Sequence, residues 1–259
     1  MRTKNKYNPF PEETNRRIAT ILADFHFAPT EEAKSNLLRE GVNGSSIFVT
    51  GNTVIDALQL VVKRHKNTNY CKKWNNFFLS EYNIPIADGI KTILVTGHRR
   101  ESFGVGFKRI CHAISEVALN NPNIRVVYPV HLNPNVQKPV YSLLGKIKNV
   151  YLIPPLSYEP FVYLMNKSFF VLTDSGGIQE EAPSIGKPVL VMRDTTERPE
   201  GVKAGTAKLV GAVTRKIVTE TQRLLCDKKE YDRMSKAINP YGDGKTSKRI
   251  VKVLASVGQ

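Results

Sequence analysis

Six short apolar runs recur from residue 91 onward, five of them followed by an amphipathic stretch of eight or more residues. The runs cover residues 92–96, 124–130, 150–153, 169–172, 188–192 and 207–209. Helical spacing marks the stretches near 107–120, 134–144, 158–166, 177–184 and 215–226. Within the runs, Ile93-Leu94-Val95 and Val189-Leu190-Val191 are apolar on successive residues. Such strands need cover on both faces, which is the condition of a parallel sheet flanked by helices. The alternation predicts an α/β domain with a doubly wound parallel sheet. Ligands of such sheets bind outside the carboxyl ends of the strands. Thr96-Gly97-His98, Pro129-Val130-His131 and Thr173-Asp174-Ser175 all fall at predicted strand ends.

The first fifty residues hold two predicted helices and little strand. Pro9-Phe10-Pro11 is a rigid lead into a helix over about 12–24, with Ile18, Ile21 and Leu22 at helical spacing. Residues 25–28 read as a short strand. Thr30 is placed to cap a second helix that ends at Gly41, with Glu31 and Glu32 in its first turn. A second short strand covers 46–50, and Gly51-Asn52 marks a turn before a helix over about 53–66. Residues 67–90 suggest one more helix and a connection. Near the end, residues 239–244 form a tight Pro- and Gly-containing loop before a last helix over about 245–256.

Bulk properties narrow the function classes. The chain has 259 residues, 41% of them hydrophobic, enough for two domains with packed cores. No run approaches the roughly 18 apolar residues of a membrane span, and residues 1–7 lack the apolar segment of a signal peptide. Cys71, Cys111 and Cys226 lie far apart, without metal-ligand spacing or an even disulfide framework. These features predict a cytoplasmic setting with no membrane partner. The net charge of +15 raises nucleic acid as a partner. The basic residues are scattered among acids, and no stacking platform or nucleic-acid motif accompanies them. A basic cleft for a phosphorylated small molecule needs only a few such charges.

Four clusters carry candidate chemistry. In Phe169–Ala182, written out as FFVLTDSGGIQEEA, an apolar strand runs into two glycines and an acidic helix start. The glycines allow close approach of a ligand to the backbone, and the helix N–H groups suit an anion. Glu181, one turn in, can accept hydrogen bonds from sugar hydroxyls. The same residues also suit a plain strand-to-helix turn. Residues 96–106 combine His98, Arg99 and Arg100 with glycines, a set that suits a diphosphate and proton transfer, or a surface loop with ion pairs. His131 ends a strand, a position open to either a binding or a structural role. Thr195-Thr196-Glu197-Arg198-Pro199-Glu200 suits sugar and phosphate recognition, or a capped helix start. Glu12 and Glu13 are ordinary helix-opening acids.

Taken with the strings Tyr7–Glu13, His26–Thr30, Thr50–Ala57, Thr96–Gly104, Tyr128–Asn135, Asp174–Pro183 and Arg193–Glu200, these clusters closely resemble the non-hydrolysing UDP-N-acetylglucosamine 2-epimerases, in the family's order along the whole chain. The resemblance implies two Rossmann-like domains of the GT-B type. Residues 1–52 would end the first, 53–240 would form the UDP-binding second, and 241–259 would cross back. It implies interconversion of UDP-GlcNAc and UDP-ManNAc by elimination and re-addition of UDP, without cofactor or metal. By position, Glu12 and His98 would be catalytic. Ser175, Gly176 and Gly177 would hold the diphosphate, Glu181 the ribose, Phe161 the uracil, and Arg198 the nucleotide or its phosphates. Arg99 and His131 match positions that touch an allosteric second UDP-GlcNAc in some bacterial relatives.

Relatives of that family are already more than a hundred residues along where this chain begins. The resemblance therefore leads one to expect an incomplete first domain that lacks two further catalytic carboxylates, and little activity from the chain alone. A homodimer, or a separate chain supplying the missing half, would be its partner. A GT-B glycosyltransferase using a UDP-sugar and a non-catalytic UDP-sugar-binding remnant are the alternatives.

Overall fold

The computed structural model of the protein describes Tyr7, residues 11–87 and residues 89–257. The chain divides into two compact units: Met1–Ala57 with Pro240–Gln259, and Leu58–Asn239.

The first unit starts with α1 (Glu12–Leu22), β1 (His26–Ala28), α2 (Glu31–Arg39), β2 (Ile47–Val49) and the opening of α3 (Thr53–Arg64). Pro9 and Phe10 of the Pro9-Phe10-Pro11 segment lie outside the described residues, and Pro11 is the N-cap of α1. The two strands pair in parallel, His26 against Ile47 through Ala28 against Val49. The Thr30 side chain accepts a hydrogen bond from the Ala33 N–H at 3.1 Å, which is the expected cap of α2. The core here is small, built on Ala28, Leu37 and Ile47. Ile18, Ile21 and Leu22 of α1 stay exposed, because three-residue strands offer too little surface to cover them.

The second unit continues through α4 (Thr68–Tyr82), β3 (Thr92–Thr96), α5 (Val105–Asn120), β4 (Arg125–Pro129), α6 (Pro134–Leu144), β5 (Val150–Ile153), α7 (Tyr158–Lys167) and β6 (Phe170–Thr173). After these come α8 (Gly176–Glu181), β7 (Val189–Val191), α9 (Pro199–Ala204), β8 (Ala207–Leu209), α10 (Thr214–Cys226) and α11 (Lys228–Ser235). The six strands form one sheet in the order β5-β4-β3-β6-β7-β8, every pair parallel. Successive residues of β3 enter opposite cores. Ile93 and Val95 join one with Phe107, Ile110 and Leu224, whereas Leu94 joins the other with Phe78, Val162 and Val171. Each such side chain gains about 1.5–3 kcal/mol on burial, and this is why the runs are apolar without interruption. The doubly wound parallel sheet is the one the alternation predicts.

Strand order reverses between β3 and β6. The chain winds outward from β3 to β5, returns, and winds the other way from β6 to β8. Their following loops must diverge, leaving a crevice at the carboxyl ends of these two strands.

Two helices give no periodic signal in the sequence. α9 is six residues long, opens at Pro199 and has Arg198 as N-cap. α11 is highly charged, and its start is fixed by Asp227, whose side chain accepts from the Lys229 and Glu230 N–H groups at 2.9 and 3.1 Å. The expected helix over 177–184 is α only to Glu181 and then tightens to a 3-10 turn, Ala182–Ile185. Pro183 lacks the N–H needed to continue the α pattern.

The chain returns to the first unit through α12 (Thr246–Val257). The Asn52 N–H donates to the Tyr241 carbonyl at 2.7 Å. Gly51 has φ +95°, and a Cβ there would lie 2.5 Å from Thr246 Oγ1, so no other residue fits without strain. Asp56 caps α12 from a distant part of the chain, accepting from the Thr246 and Ser247 N–H groups at 3.1 and 2.7 Å. Among the described residues no helix is long and apolar enough to cross a membrane. Replacing Asp56 by Ala removes the acceptor of two helix-opening N–H groups, a loss of about 1 kcal/mol. The Thr246 and Ser247 amides are expected to exchange with deuterium about fivefold faster in Asp56→Ala, as read by hydrogen-exchange NMR.

Candidate functional site

The crevice between β3 and β6 is closed at its floor by a single carboxylate. Asp174, the first residue after β6, is wholly buried. Its Oδ2 accepts hydrogen bonds from the backbone N–H groups of His98 (2.7 Å) and Arg99 (2.8 Å). The loop after β3 is thereby stitched to the loop after β6. Beneath the stitch, the Thr96 and Thr173 hydroxyls meet at 2.6 Å, and the Tyr128 hydroxyl donates to the Gly97 carbonyl at 2.8 Å. A Cβ at Gly97 would approach that hydroxyl to 3.0 Å. Asp174 Oδ1 has no hydrogen-bond partner and faces His98 Nδ1 at 3.5 Å. The His98 ring stacks on that of His131, with centroids 5.3 Å apart and planes 15° from parallel. His131 Nδ1 accepts from the Asn133 N–H at 3.1 Å, leaving Nε2 as the proton-bearing nitrogen of the neutral ring.

The third wall comes from the loop after β7. Glu197 bridges Arg99 Nη2 (3.1 Å) and Arg193 Nη1 (2.5 Å), and Arg193 Nε also donates to Glu101 (2.5 Å). Burial pushes the Glu197 carboxyl up, but a backbone hydrogen bond and the flanking Arg193 and Arg99 outweigh it and hold the group below the ordinary carboxylate range. The Glu197 Oε1 lies where a Cβ on Gly176 would come within 2.6 Å of it. Gly176 is bare because that space is taken.

At α8 the carboxylates divide the work. Glu180 is buried and pairs with Arg198 Nε. Thr196 Oγ1 donates to Gln179 Oε1 at 2.6 Å, and the Arg198 N–H donates back to Thr196 Oγ1 at 3.0 Å. Glu181 accepts from the Tyr158 hydroxyl at 3.2 Å. Burial raises the Glu181 carboxyl above its ordinary value, with the Tyr158 hydrogen bond opposing and Glu180 adding to the rise. The same environment raises the Tyr158 hydroxyl. Tyr158 opens α7, which also carries the half-buried Phe161. The Ser175 side chain, at the N-cap of α8, makes no capping bond.

The structure thus joins His98, Arg99 and Arg198 through polar contacts of Asp174 and Glu197 around the switch point, stacks His131 on His98 and sets Glu197 against Gly176, whereas Glu181, on α8 with Gly176 and Gly177, meets Tyr158 of α7, the helix that carries Phe161; Ser175 is the N-cap of α8. Asp174, Glu180, Arg193 and Tyr158 carry no role in the sequence reading, and Glu197 enters it only as part of the 195–200 loop. Asp174 is adjacent to the recognised glycines, and its charge immediately after an apolar strand is the one signal that singles it out. The others are visible only once distant loops meet.

Glu12 lies on α1 in the first unit and is exposed. Its neighbour Glu13 is buried and accepts from Arg16 Nε and Nη2 (3.1 and 2.9 Å) and from Arg17 Nε (3.1 Å). The Arg16 hydrogen bond, aided by Arg17 and opposed by burial, lowers the Glu13 carboxyl from 4.5 to about 2. Of the two adjacent acids, one is structural and the other faces outward.

Two outcomes follow from these contacts. Asp174→Ala leaves two N–H groups without their acceptor and is expected to destabilise the second unit by about 2–3 kcal/mol, with the His98 and Arg99 amides losing protection in hydrogen exchange. Unchanged protection would show that Asp174 does not hold this loop. Glu13 binds its proton more weakly folded than unfolded, so its contribution is complete above pH 4.5 and fades as pH falls toward 2. Glu13→Gln is expected to lower the urea midpoint at pH 7, with the gap to wild type closing over that acid range.

A family model described as UDP-N-acetylglucosamine 2-epimerase matches residues 1–255. The UDP-N-acetylglucosamine 2-epimerase of Campylobacter jejuni is 58% identical over 255 residues, and that of Escherichia coli K12 is 56% identical over 254; each alignment covers 98% of this chain. This chain spans 66% of the length of both relatives. The crystal structure of UDP-GlcNAc 2-epimerase from Neisseria meningitidis bound to UDP-GlcNAc superposes with a TM-score of 0.91 at 51% identity, covering 98% of this chain and 67% of that one. A parallel sheet wound in both directions about one switch point, and sequence agreement along nearly the whole length, have one explanation: the chain belongs to the UDP-N-acetylglucosamine 2-epimerase family.

Proposed function

We propose that this chain serves as a UDP-N-acetylglucosamine 2-epimerase, gripping the uridine diphosphate at the β3/β6 crevice and interconverting UDP-GlcNAc and UDP-ManNAc. The observation that carries the reading is the Asp174 stitch, which brings the His98-Arg99 loop over Ser175-Gly176-Gly177 at the switch point. The Neisseria relative, crystallised with UDP-GlcNAc, shares this fold over 98% of the chain.

In this reading the diphosphate lies against the backbone of Ser175, Gly176 and Gly177, where the absence of side chains at two positions permits close approach. Arg198 supplies positive charge to the nucleotide. Glu181 accepts from the ribose hydroxyls, with the Tyr158 hydroxyl holding its other oxygen in place. Phe161 borders the uracil. The reaction takes the proton from C2 of the sugar while the C1–oxygen bond breaks, its electron pair leaving with UDP. The resulting glycal then accepts a proton on the opposite face of C2 as UDP adds back at C1. His98 and Glu12 are the proposed proton-transfer groups, and cations stabilise the departing diphosphate. His98 is suited to the task because the Asp174 carboxylate fixes its backbone and faces its Nδ1. Arg99 and His131 are the proposed contacts of a second UDP-GlcNAc. A cytoplasmic setting, and a second copy or a separate polypeptide as partner, belong to the same reading.

Calorimetry with UDP tests the grip. Wild type is expected to bind, and Glu181→Ala to bind about tenfold or more weakly, since a charged acceptor of sugar hydroxyls is lost. Equal affinity of the two would remove Glu181 from the ribose, and absence of UDP binding by wild type would sink the reading. Turnover is followed as UDP-ManNAc formed from UDP-GlcNAc, with the chain alone and with a polypeptide carrying the relatives' remaining third. Sugar transfer to an added acceptor, without epimerisation, would favour a glycosyltransferase instead.

A further inference from the structure

The proposed grip on UDP assigns no role to Glu197, yet its carboxylate stands on the backbone that the diphosphate is to meet. A Cβ built on Gly176 would lie 2.6 Å from Glu197 Oε1 and 3.7 Å from Arg99 Nη2. A carboxylate and a guanidinium therefore meet on the bare face of Gly176.

The two oxygens of Glu197 are held unequally. Oε2 accepts from Arg193 Nη1 at 2.5 Å, and the Arg193 side chain is only 4% exposed and donates through Nε to Glu101 at 2.5 Å. Oε1 accepts from Arg99 Nη2 at 3.1 Å, and that side chain is 33% exposed. One oxygen is thus anchored to a fixed cation, and the other to a cation that a ligand can reach. Turning the carboxylate about its Arg193 contact frees both Gly176 and Arg99 and leaves Arg193 paired.

Charge points the same way. Arg99 and Arg193 are matched by Glu197 and Glu101, and Arg198 by Glu180. Despite its burial the Glu197 carboxyl lies below the ordinary range and is ionised at neutral pH. An anion that reaches Gly176 meets this carboxylate in its path, and gains Arg99 only by taking it from that partner. An acid that served only to orient the two arginines needs no contact with the Gly176 backbone.

We propose that Glu197 is a built-in competitor of the diphosphate: its carboxylate takes the diphosphate's place on Gly176 and Arg99, and UDP binds by displacing it. Arg99 passes from the carboxylate to the diphosphate, while Arg193 keeps Glu101. This role rests on the crevice being the UDP site, and it makes Glu197 the residue that sets how tightly UDP is held.

Calorimetric titration of the intact chain with UDP tests the competition. Glu197→Gln keeps the size of the side chain and removes its charge, and is expected to bind UDP about tenfold more tightly than wild type, because a neutral partner of Arg99 is displaced more easily than a charged one. Glu101→Gln removes the same charge from the same Arg193 without touching Gly176, and is expected to change UDP affinity by less than about threefold. Glu197→Ala opens the place to a free carboxylate. Acetate is expected to raise the apparent UDP dissociation constant of this variant about fivefold or more over sodium chloride of equal ionic strength. In wild type the two salts are expected to agree within about twofold, since the side chain already fills the place and only screening remains. Equal or weaker UDP binding by Glu197→Gln would overturn the proposal while leaving the UDP site standing, and this variant decides the matter alone where Glu197→Ala does not fold. An equal gain in Glu101→Gln, or acetate acting no more than chloride on folded Glu197→Ala, would overturn it too. Absence of UDP binding by wild type would remove the site itself, and the role of Glu197 with it.

Discussion

A buried carboxylate holding two backbone N–H groups is the interaction on which the site depends. A doubly wound sheet opens a crevice wherever its strand order reverses, because the two loops there leave in opposite directions. Left alone, those loops would be the most mobile part of the unit. Asp174 prevents this by taking the His98 and Arg99 N–H groups onto one oxygen, across 76 positions of sequence. Burying a carboxylate costs several kcal/mol, and two charge-assisted hydrogen bonds return about 1.5–3 kcal/mol each. The balance is close to even, so stability alone gives little reason to place an acid there. Position does: the second oxygen is left without a hydrogen bond, 3.5 Å from the His98 ring. The carboxylate that fixes the loop also faces the imidazole the loop presents.

How much of this was legible beforehand depended on whether the information was local. The strands of the large sheet were, because burial on both faces forces consecutive apolar residues, as in Ile93-Leu94-Val95. So was the cap at Thr30. α9 and α11 were not: α9 is a six-residue helix opened by a proline, α11 is started by an aspartate cap, and neither needs an apolar stripe. The spacing of Ile18, Ile21 and Leu22 marks α1 as a helix, yet spacing says nothing of what a face packs against. In the site, residues at strand ends could be named in advance, since topology alone sends them to one edge. Their partners could not. Glu197 over Gly176 and Arg198 on Glu180 join loops separated in sequence, and single-sequence reasoning has no access to such distances.

The +15 net charge looks different once the molecule is seen. The site is not where the excess sits. Arg99 and Arg193 share Glu197, Arg193 also meets Glu101, and Arg198 holds Glu180. These pairs let the Arg193 guanidinium be buried, and those of Arg99 and Arg198 be partly buried, beside a carboxylate. Lysines such as Lys108, Lys146 and Lys216 are exposed, and none of them stands in an ion pair among the described residues. Net charge is thus a sum over regions that behave oppositely, which is why it constrains partners poorly.

The pairing also bears on which anions the crevice could admit. The space above Gly176 is not vacant: the Glu197 carboxylate already lies there, held by Arg99 and Arg193. An anion arriving at that backbone must displace a negative charge that is in contact with two arginines. A singly charged ligand would exchange one such contact for another and gain little. Under the proposed reading a diphosphate brings more charge than the carboxylate it moves, and its nucleoside adds ribose hydroxyls for Glu181. Binding free energy then comes from the difference between two sets of ion pairs, not from a bare basic patch. Such an arrangement favours a nucleoside diphosphate over free phosphate, and its specificity follows from the acid that occupies the site when the ligand does not.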